Sequence, residues 1–415
     1  MQDQRLINAK ELLSMLTPTI ALDSEMSDRW TVIAEVLASL PDDQNYLLKQ
    51  AVNYILMSME SKEASDLDFG GLGCNGMVWY RIHGKKRADE EMGSYTIDET
   101  DALLYNMLID VQRQELMDNR QVQFTYELAT PSGDVIRFRA TIYFDMTHLA
   151  LSLRRIGASV RPFRDLGLHK NVSRLMSLEY QKRGLILITG ISGSGKTSTL
   201  DSIIDANNRM SHAHIVMIAD PVEYIHVSQR SVVRQREVSR DVRSFEEGVI
   251  QALRQDPDII VIGEMRNADT FNAVLEAADS GHKVFATLHT SSAVESIDRI
   301  LAETAPDEQQ RVRERMANLL TCVISQKLVN RKDGRLCMAK ETMVSNAPVR
   351  AAIRTNNTEE IYQIIQQSNS EGMITMEQDL ARLCQKNIIS YGEALNNANN
   401  KKRFEDLMHY QRKMD

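Results

Sequence analysis

The sequence predicts an α/β fold in two parts, on three observations. Residues 184–210 read as a short buried strand, a glycine-rich loop and a helix. Beyond them apolar strands alternate with helices, which implies a parallel sheet covered on both faces. Residues 66–156 change to period-two alternation broken by glycine turns, which implies a separate, smaller α+β domain. A length of 415 residues suits two or three domains. Hydrophobic residues at 43% and charged residues at 26% are the balance of a globular protein.

Taken in order, residues 1–65 are expected to be helical. Leu6, Leu12, Leu13 and Leu16 lie at helical spacing, and Thr17-Pro18 is expected to interrupt them. A second stripe runs through Trp30, Ile33, Val36, Leu37 and Leu40 and stops before Pro41. A third carries Leu47, Leu48, Val52, Ile55, Leu56 and Met59. Residues 1–48 are expected to form a helical extension and 49–156 the N-terminal domain. In that domain, strands at 67–71 and 77–82 flank a glycine-rich turn at 71–76. One amphipathic helix is expected over 97–119. Strands at 121–130 and 134–144 flank Pro131-Ser132-Gly133-Asp134, which reads as a hairpin turn. A further strand, 148–156, ends in Arg154-Arg155. Residues 157–169, with Pro162, read as a linker.

The second part, 170–345, opens on Gly190-Ile-Ser-Gly-Ser-Gly195-Lys196-Thr197, a full match to G-x-x-x-x-G-K-[ST]. Gly190, Gly193 and Gly195 let the backbone turn tightly and bring N–H groups against phosphate oxygens. Lys196 suits the β/γ-phosphates, and the Thr197 hydroxyl suits Mg²⁺. Ser192, Ser194 and Ser198 complete the cradle. A strand before and a helix after are the context the motif requires, and the helix's positive end faces the phosphates. The chain therefore binds a nucleotide, with ATP and Mg²⁺ as the expected ligands. Further strands are expected at 215–219, 259–262 and 284–288. Helices are expected at 244–254, 268–280, 293–301 and 308–328. Residues 346–415 read as a helical C-terminal region.

Composition narrows the classes. A net charge of −8 and a pI near 5.7 exclude wholesale nucleic-acid binding, and no nucleic-acid partner is expected. No apolar run reaches membrane-span length, and MQDQRLINAK lacks the apolar core of a signal peptide. Four cysteines, with no C-x-x-C, fit a reducing cytoplasm and argue against a zinc ribbon. The weakly basic tail, with Lys401-Lys402-Arg403, reads as a solvated helix face.

Three more constellations follow apolar strands, where ligands gather in open α/β sheets. They are Ala219-Asp220-Pro221-Val222-Glu223; Leu253-Arg254-Gln255-Asp256-Pro257-Asp258 with Gly263-Glu264-Met265-Arg266; and Gly281-His282 with His289-Thr290. An acidic residue after such a strand is where phosphate-loop ATPases hold Mg²⁺-bound water or polarise the attacking water. The two histidines bracket one strand, and both strand ends are expected to border the cleft.

Together, in this order and spacing, these motifs resemble the secretion and pilus motor ATPases, most closely the PilT-like retraction ATPases. The likeness spans roughly residues 50–395 and includes Ala64-Ser-Asp-Leu67, Arg137-Phe-Arg139, Gln235-Arg-Glu-Val238, the segment from Ala347 to Arg354, and Glu371-Gly-Met373. The resemblance implies a PAS-like N-terminal domain, a RecA-like ATPase domain and a homo-hexameric ring. It implies a peripheral location on the cytoplasmic side of a bacterial inner membrane, docked on a platform protein, with a paralogous motor as a further partner. It implies that the ring removes pilin subunits as it hydrolyses ATP, driving retraction and twitching. Assembly-type motors usually carry a four-cysteine zinc insertion, which this chain lacks, whereas the motor of a type II or a conjugation-like type IV secretion system stays open as an alternative. Glu223 and Glu264 match the acidic-box and Walker B carboxylates, with Thr197 and Glu264 at the metal. His282 and His289 match the histidine box, and Arg154 matches an N-domain arginine that approaches the nucleotide. Three positions depart from the pattern: Ala219 stands for a glutamate, Asn267 for an aspartate, and Asp145-Met146-Thr147 for a polar segment ending in arginine. Fewer charges near the nucleotide imply slower turnover or reliance on a partner motor.

Overall fold

The computed structural model describes residues 3–20, 26–130, 133, 135–157 and 159–412. The chain divides into two compact units, Met1–Ala158 and Ser159–Asp415. Each is built around its own sheet.

The N-terminal unit begins with helices Gln4–Ile20, Met26–Ser39 and Asp42–Ser61. Thr17-Pro18 does not end the first helix. In the last turn a proline forfeits a single N–H bond, and the apolar stripe to Ile20 carries the helix on. Six antiparallel strands follow: β1 Ala64–Gly70, β2 Val78–Ile82, β3 Lys85–Asp89, β4 Gln121–Ala129, β5 Val135–Asp145 and β6 His148–Arg155. Their order across the sheet is β3-β2-β1-β6-β5-β4. The helix expected over 97–119 is two helices, Ile97–Asn106 and Asp110–Asn119. The Gln112 side chain accepts from the Ile109 N–H at 3.1 Å and starts the second one. β4 and β5 pair antiparallel as the expected hairpin requires, with Gln121 opposite Tyr143, while Pro131, Ser132 and Asp134 lie outside the described residues.

The expected boundary at 48/49 falls inside the helix Asp42–Ser61, and one apolar core runs from Leu6 through Leu56 to Leu153. A buried polar anchor joins the helices Met26–Ser39 and Ile97–Asn106 to β6. Asp101, fully buried, accepts from Arg29 at 2.6 Å and from the Leu149 N–H at 2.7 Å. Its carboxylate is also 2.8 Å from His148 Nδ1. A buried carboxylate without such partners would be costly, so these contacts fix the second helix on the sheet.

In the second unit, a seven-stranded sheet comprises β7 Gly184–Thr189, β8 His214–Ala219, β9 Val232–Glu237, β10 Ile259–Ile262, β11 Lys283–Leu288, β12 Leu320–Asn330 and β13 Leu336–Val344. The order is β13-β12-β7-β11-β10-β8-β9, all parallel except β13. Alternate strand residues feed two cores. Leu185, Leu187, Ile260, Ile262, Val284 and Ala286 face one, and Ile186, Ile188, Ile259, Val261 and Phe285 the other. Burial on both faces explains why these strands read as continuous apolar runs.

The helix expected over 308–328 ends at Leu319, where the chain enters β12. Cys322 and Ile324 face one core and Val323 the other, so no period-two pattern shows and the apolar run looks like a helix continued. The C-terminal helices, from Ala347–Arg354 to Lys401–Arg412, lie beyond β13, and those after residue 375 bury Leu380, Ile389 and Phe404 with Val329 and Ala339.

Candidate functional site

The C-terminal ends of β7, β8, β10 and β11 lie along one edge of the parallel sheet, and the phosphate loop leaves that edge after Thr189. Gly190 is required by close approach: a Cβ there would stand 2.4 Å from both the Gln326 carbonyl oxygen and Ser194 Oγ. Gly195, at φ +88°, is left-handed and caps the helix Lys196–Met210, a position suited to glycine. The Gly190 N–H donates to the Leu288 carbonyl at 3.2 Å, tying the loop to β11.

Within the loop, Lys196 Nζ donates to the Gly190 carbonyl at 2.7 Å and to the Ile191 carbonyl at 3.1 Å. Burial pushes its ammonium below the usual lysine value, and Glu264 pulls it partly back. Ser192 is exposed, Ser194 is buried, and the Thr197 and Ser198 hydroxyls make no hydrogen bond among the described residues. A cavity of about 320 Å³ adjoins the start of the helix, lined by Gly195, Ser198, Thr199, Leu328, Arg331 and Lys340 among others.

Across from the loop stands a charged cluster. Arg266 Nη2 donates to Glu264 Oε2 at 2.9 Å, and His289 Nε2 lies 3.0 Å from Glu264 Oε1. Arg266 also reaches Asp220 at 4.0 Å. Burial raises the Glu264 carboxyl, but the Arg266 hydrogen bond and charge, then His289 and Lys196, outweigh it and hold the group below the usual carboxylate range. Burial and the Lys196 charge depress His289. At neutral pH the cluster therefore holds an ionised Glu264 accepting from a neutral imidazole and a guanidinium. Glu223 sits half-buried in the turn after β8, where the Val222 N–H donates to Glu237 at 2.9 Å.

One sequence-selected residue lies elsewhere in this unit, and another belongs to the other unit. His282 does not border this cleft. It precedes β11, and in a parallel sheet that is the opposite edge, about 20 Å away at ~3.3 Å per residue. There its ring contacts Ser280 Oγ at 2.9 Å and the Ala277 carbonyl at 3.2 Å. Arg154 belongs to the N-terminal unit and pairs with Asp66 at 2.8 Å, while its neighbour Arg155 pairs with Glu60 at 2.8 Å.

The departures from the motif pattern have structural roles. Asn267 Oδ1 accepts from the Thr270 N–H at 3.0 Å and caps the helix Ala268–Asp279, as an aspartate would. Met146 and Thr147, at φ +46° and +76°, form the tight β5–β6 turn. Ala219 is buried against Gly263, whose added Cβ would meet it at 3.1 Å.

Two residues that contact the site or its loop, Arg266 and Gln326, are not among the functional residues the sequence motifs assign. The first could have been found from its position two residues after Glu264. The second was hidden by reading β12 as helix.

Comparison with known proteins follows the same lines. Residues 42–405 match the family model described as type II/IV secretion system protein. The chain is 37% identical over 289 residues to a Pseudomonas aeruginosa protein named type IV pilus retractation ATPase PilT, covering 70% of this chain and 82% of that one. It is 35% identical over 328 residues to a Neisseria gonorrhoeae twitching motility protein, covering 79% of this chain and 85% of that one. A crystal structure of the pilus retraction motor PilT with bound ADP superposes with a TM-score of 0.77 at 34% identity, covering 86% of this chain and 99% of that one. With the motifs in place on a matching fold, this chain belongs to the type II/IV secretion system protein family of ATPases.

Proposed function

We propose that this chain is the ATP-hydrolysing motor of type IV pilus retraction. One observation supports this reading above the rest: similarity to a pilus retraction ATPase over most of both chains, with Lys196, Thr197, Glu223, Glu264 and His289 all present. In the reaction, Lys196 leaves its two loop carbonyls to meet the β/γ-phosphates. The N–H groups of the loop and the helix start receive the remaining phosphate charge. The Thr197 hydroxyl, free of hydrogen bonds among the described residues, and Glu264 would hold Mg²⁺. An ion held there would supply positive charge against the phosphate oxygens. Among the described residues no cluster of three or more His, Cys, Asp or Glu could hold a metal. A site with few protein ligands suits an ion that keeps waters and binds partly through substrate phosphates.

Glu264, once released by Arg266 or His289, orients the attacking water, with Glu223 as the second carboxylate. The cavity beside Gly195 takes the nucleoside. Arg154 adds charge at the γ-phosphate when the two domains close, much as an arginine finger does. His282, on the far edge, is assigned to contacts outside this nucleotide cleft.

The working form is a homo-hexameric ring at the cytoplasmic face of a bacterial inner membrane, docked on the pilus platform protein. Among the described residues no helix is long and apolar enough to cross a membrane. The test is complementation of a twitching-deficient bacterium lacking its own retraction ATPase. The wild-type chain should restore pilus retraction and the Lys196→Ala chain should not. Restored protein secretion without retraction would assign it to a secretion machine instead.

A further inference from the structure

The phosphate loop rests on β12, and the contact is made by two consecutive residues. Ser325 Oγ accepts from Thr189 Oγ1 at 2.8 Å. Gln326 Nε2 donates to the Ser194 carbonyl at 2.8 Å. The Gln326 main-chain carbonyl is also the group that leaves no room for a Cβ at Gly190. The beginning and the middle of the loop are thus seated on one strand.

Gln326 is buried, with 2% exposure, and its Oε1 has no hydrogen-bond partner. A buried amide that satisfies only its donor end is a poor choice for packing alone, since an apolar side chain of the same length would leave no orphan oxygen. What the amide provides is its hold on Ser194. The Ser194 carbonyl and the Gly195 N–H belong to one planar trans peptide, so they point in opposite directions. Drawing the carbonyl down onto β12 turns the Gly195 N–H outward, into the cradle where phosphate binds. Gly195 is the left-handed cap of the following helix, so the same hold sets how that helix begins.

We propose that Gln326 is a positioning residue for nucleotide binding, acting through the Ser194–Gly195 peptide to aim a loop N–H at the phosphates. It touches no substrate. It sets the orientation of a group that does, and it links the loop to the β12–β13 pair on which the C-terminal helices pack.

Two variants of matched length separate this role from simple packing. Gln326→Met removes the amide and the orphan oxygen together. Gln326→Glu keeps an acceptor and loses the donor. The readouts are the Kd of a fluorescent ADP analogue, KM and kcat for ATP hydrolysis, and the melting temperature without nucleotide. Gln326→Met should raise Kd and KM about tenfold, the scale of one hydrogen bond, with kcat within about threefold and the nucleotide-free melting temperature at or above wild type. Gln326→Glu should weaken binding at least as much, because its carboxylate faces the Ser194 carbonyl. If the glutamate variant does not fold, the methionine variant decides the matter alone. The proposal is overturned if Gln326→Met binds the ADP analogue within twofold of wild type. It is equally overturned if the nucleotide-free melting temperature falls with kcat and KM unchanged.

Discussion

The two edges of the parallel sheet carry similar residues to different ends. At the C-terminal edge, Glu264, Arg266, His289 and Asp220 face one another, and the Glu264 side chain remains 22% exposed. At the N-terminal edge, Lys283 is wholly buried and has main-chain partners. Its Nζ donates to the carbonyls of Leu175 at 2.6 Å and Gln181 at 3.0 Å. Charge that is to act on a ligand is left reachable and balanced by other ionisable groups. Charge that holds the chain together is sealed against carbonyls that cannot move away. The two histidines that bracket β11 follow the same division, His289 against Glu264 and His282 against the Ala277 carbonyl.

The comparison breaks first at Lys196. Lys196→Ala should abolish ATP hydrolysis, because no other cation of the loop can bridge the β- and γ-phosphates; steady-state phosphate release measures it. The next largest effect is expected at Arg154, outside both edges. Arg154→Ala should lose most hydrolysis, about a thousandfold or more for an arginine finger, with the melting temperature unchanged. Arg155→Ala, on the alternate strand position, should lose little. Equal small losses would reduce both residues to surface ion pairs, worth about 0–1 kcal/mol.

The histidine pair sharpens the division of edges. His289→Ala should slow hydrolysis by about ten- to a hundredfold, since it removes a group that orders Glu264. His282→Ala should leave ADP affinity within about twofold, the reading for a group about 20 Å from the loop. Affinity titrations and turnover rates on both variants check this.

The smallest effect belongs to Lys283 and is one of stability. Burial pushes its ammonium down to about 7. An unfolded lysine stays protonated to about pH 10.4. Between those values the unfolded chain binds more protons, so stability rises with pH across that window. Lys283→Met should flatten that rise in denaturant midpoints taken from pH 7 to pH 10. It should also cost about 1–3 kcal/mol, from carbonyls left without a donor.

Much of this was legible in the sequence because local rules and tertiary packing agreed. The phosphate loop was readable since strand, glycines, lysine and helix are all local. The β4, β5 and β6 strands were readable because an antiparallel sheet keeps its alternation. What was lost lay where packing overrides pattern. β3, Lys85–Asp89, is a charged edge strand whose lysines and arginine guard an open edge, so it carries no apolar signal. β12 is buried on both faces and continues a helix stripe without a break. With it went Gln326, whose role depends on a strand neighbour more than a hundred residues away in sequence. His282 was misplaced because bracketing a strand says nothing about which end faces the ligand. Only the parallel order of β7, β11 and β10 decides that.

The central claim is that Glu264, poised between Arg266 and His289, drives hydrolysis of a nucleotide held by the phosphate loop. Its most direct measurement pairs ATP turnover with binding of an ADP analogue for wild type and Glu264→Ala. The account predicts binding within about threefold of wild type, and turnover lower by about two orders of magnitude or more, as for loss of a water-orienting carboxylate. Wild-type turnover in Glu264→Ala would contradict it.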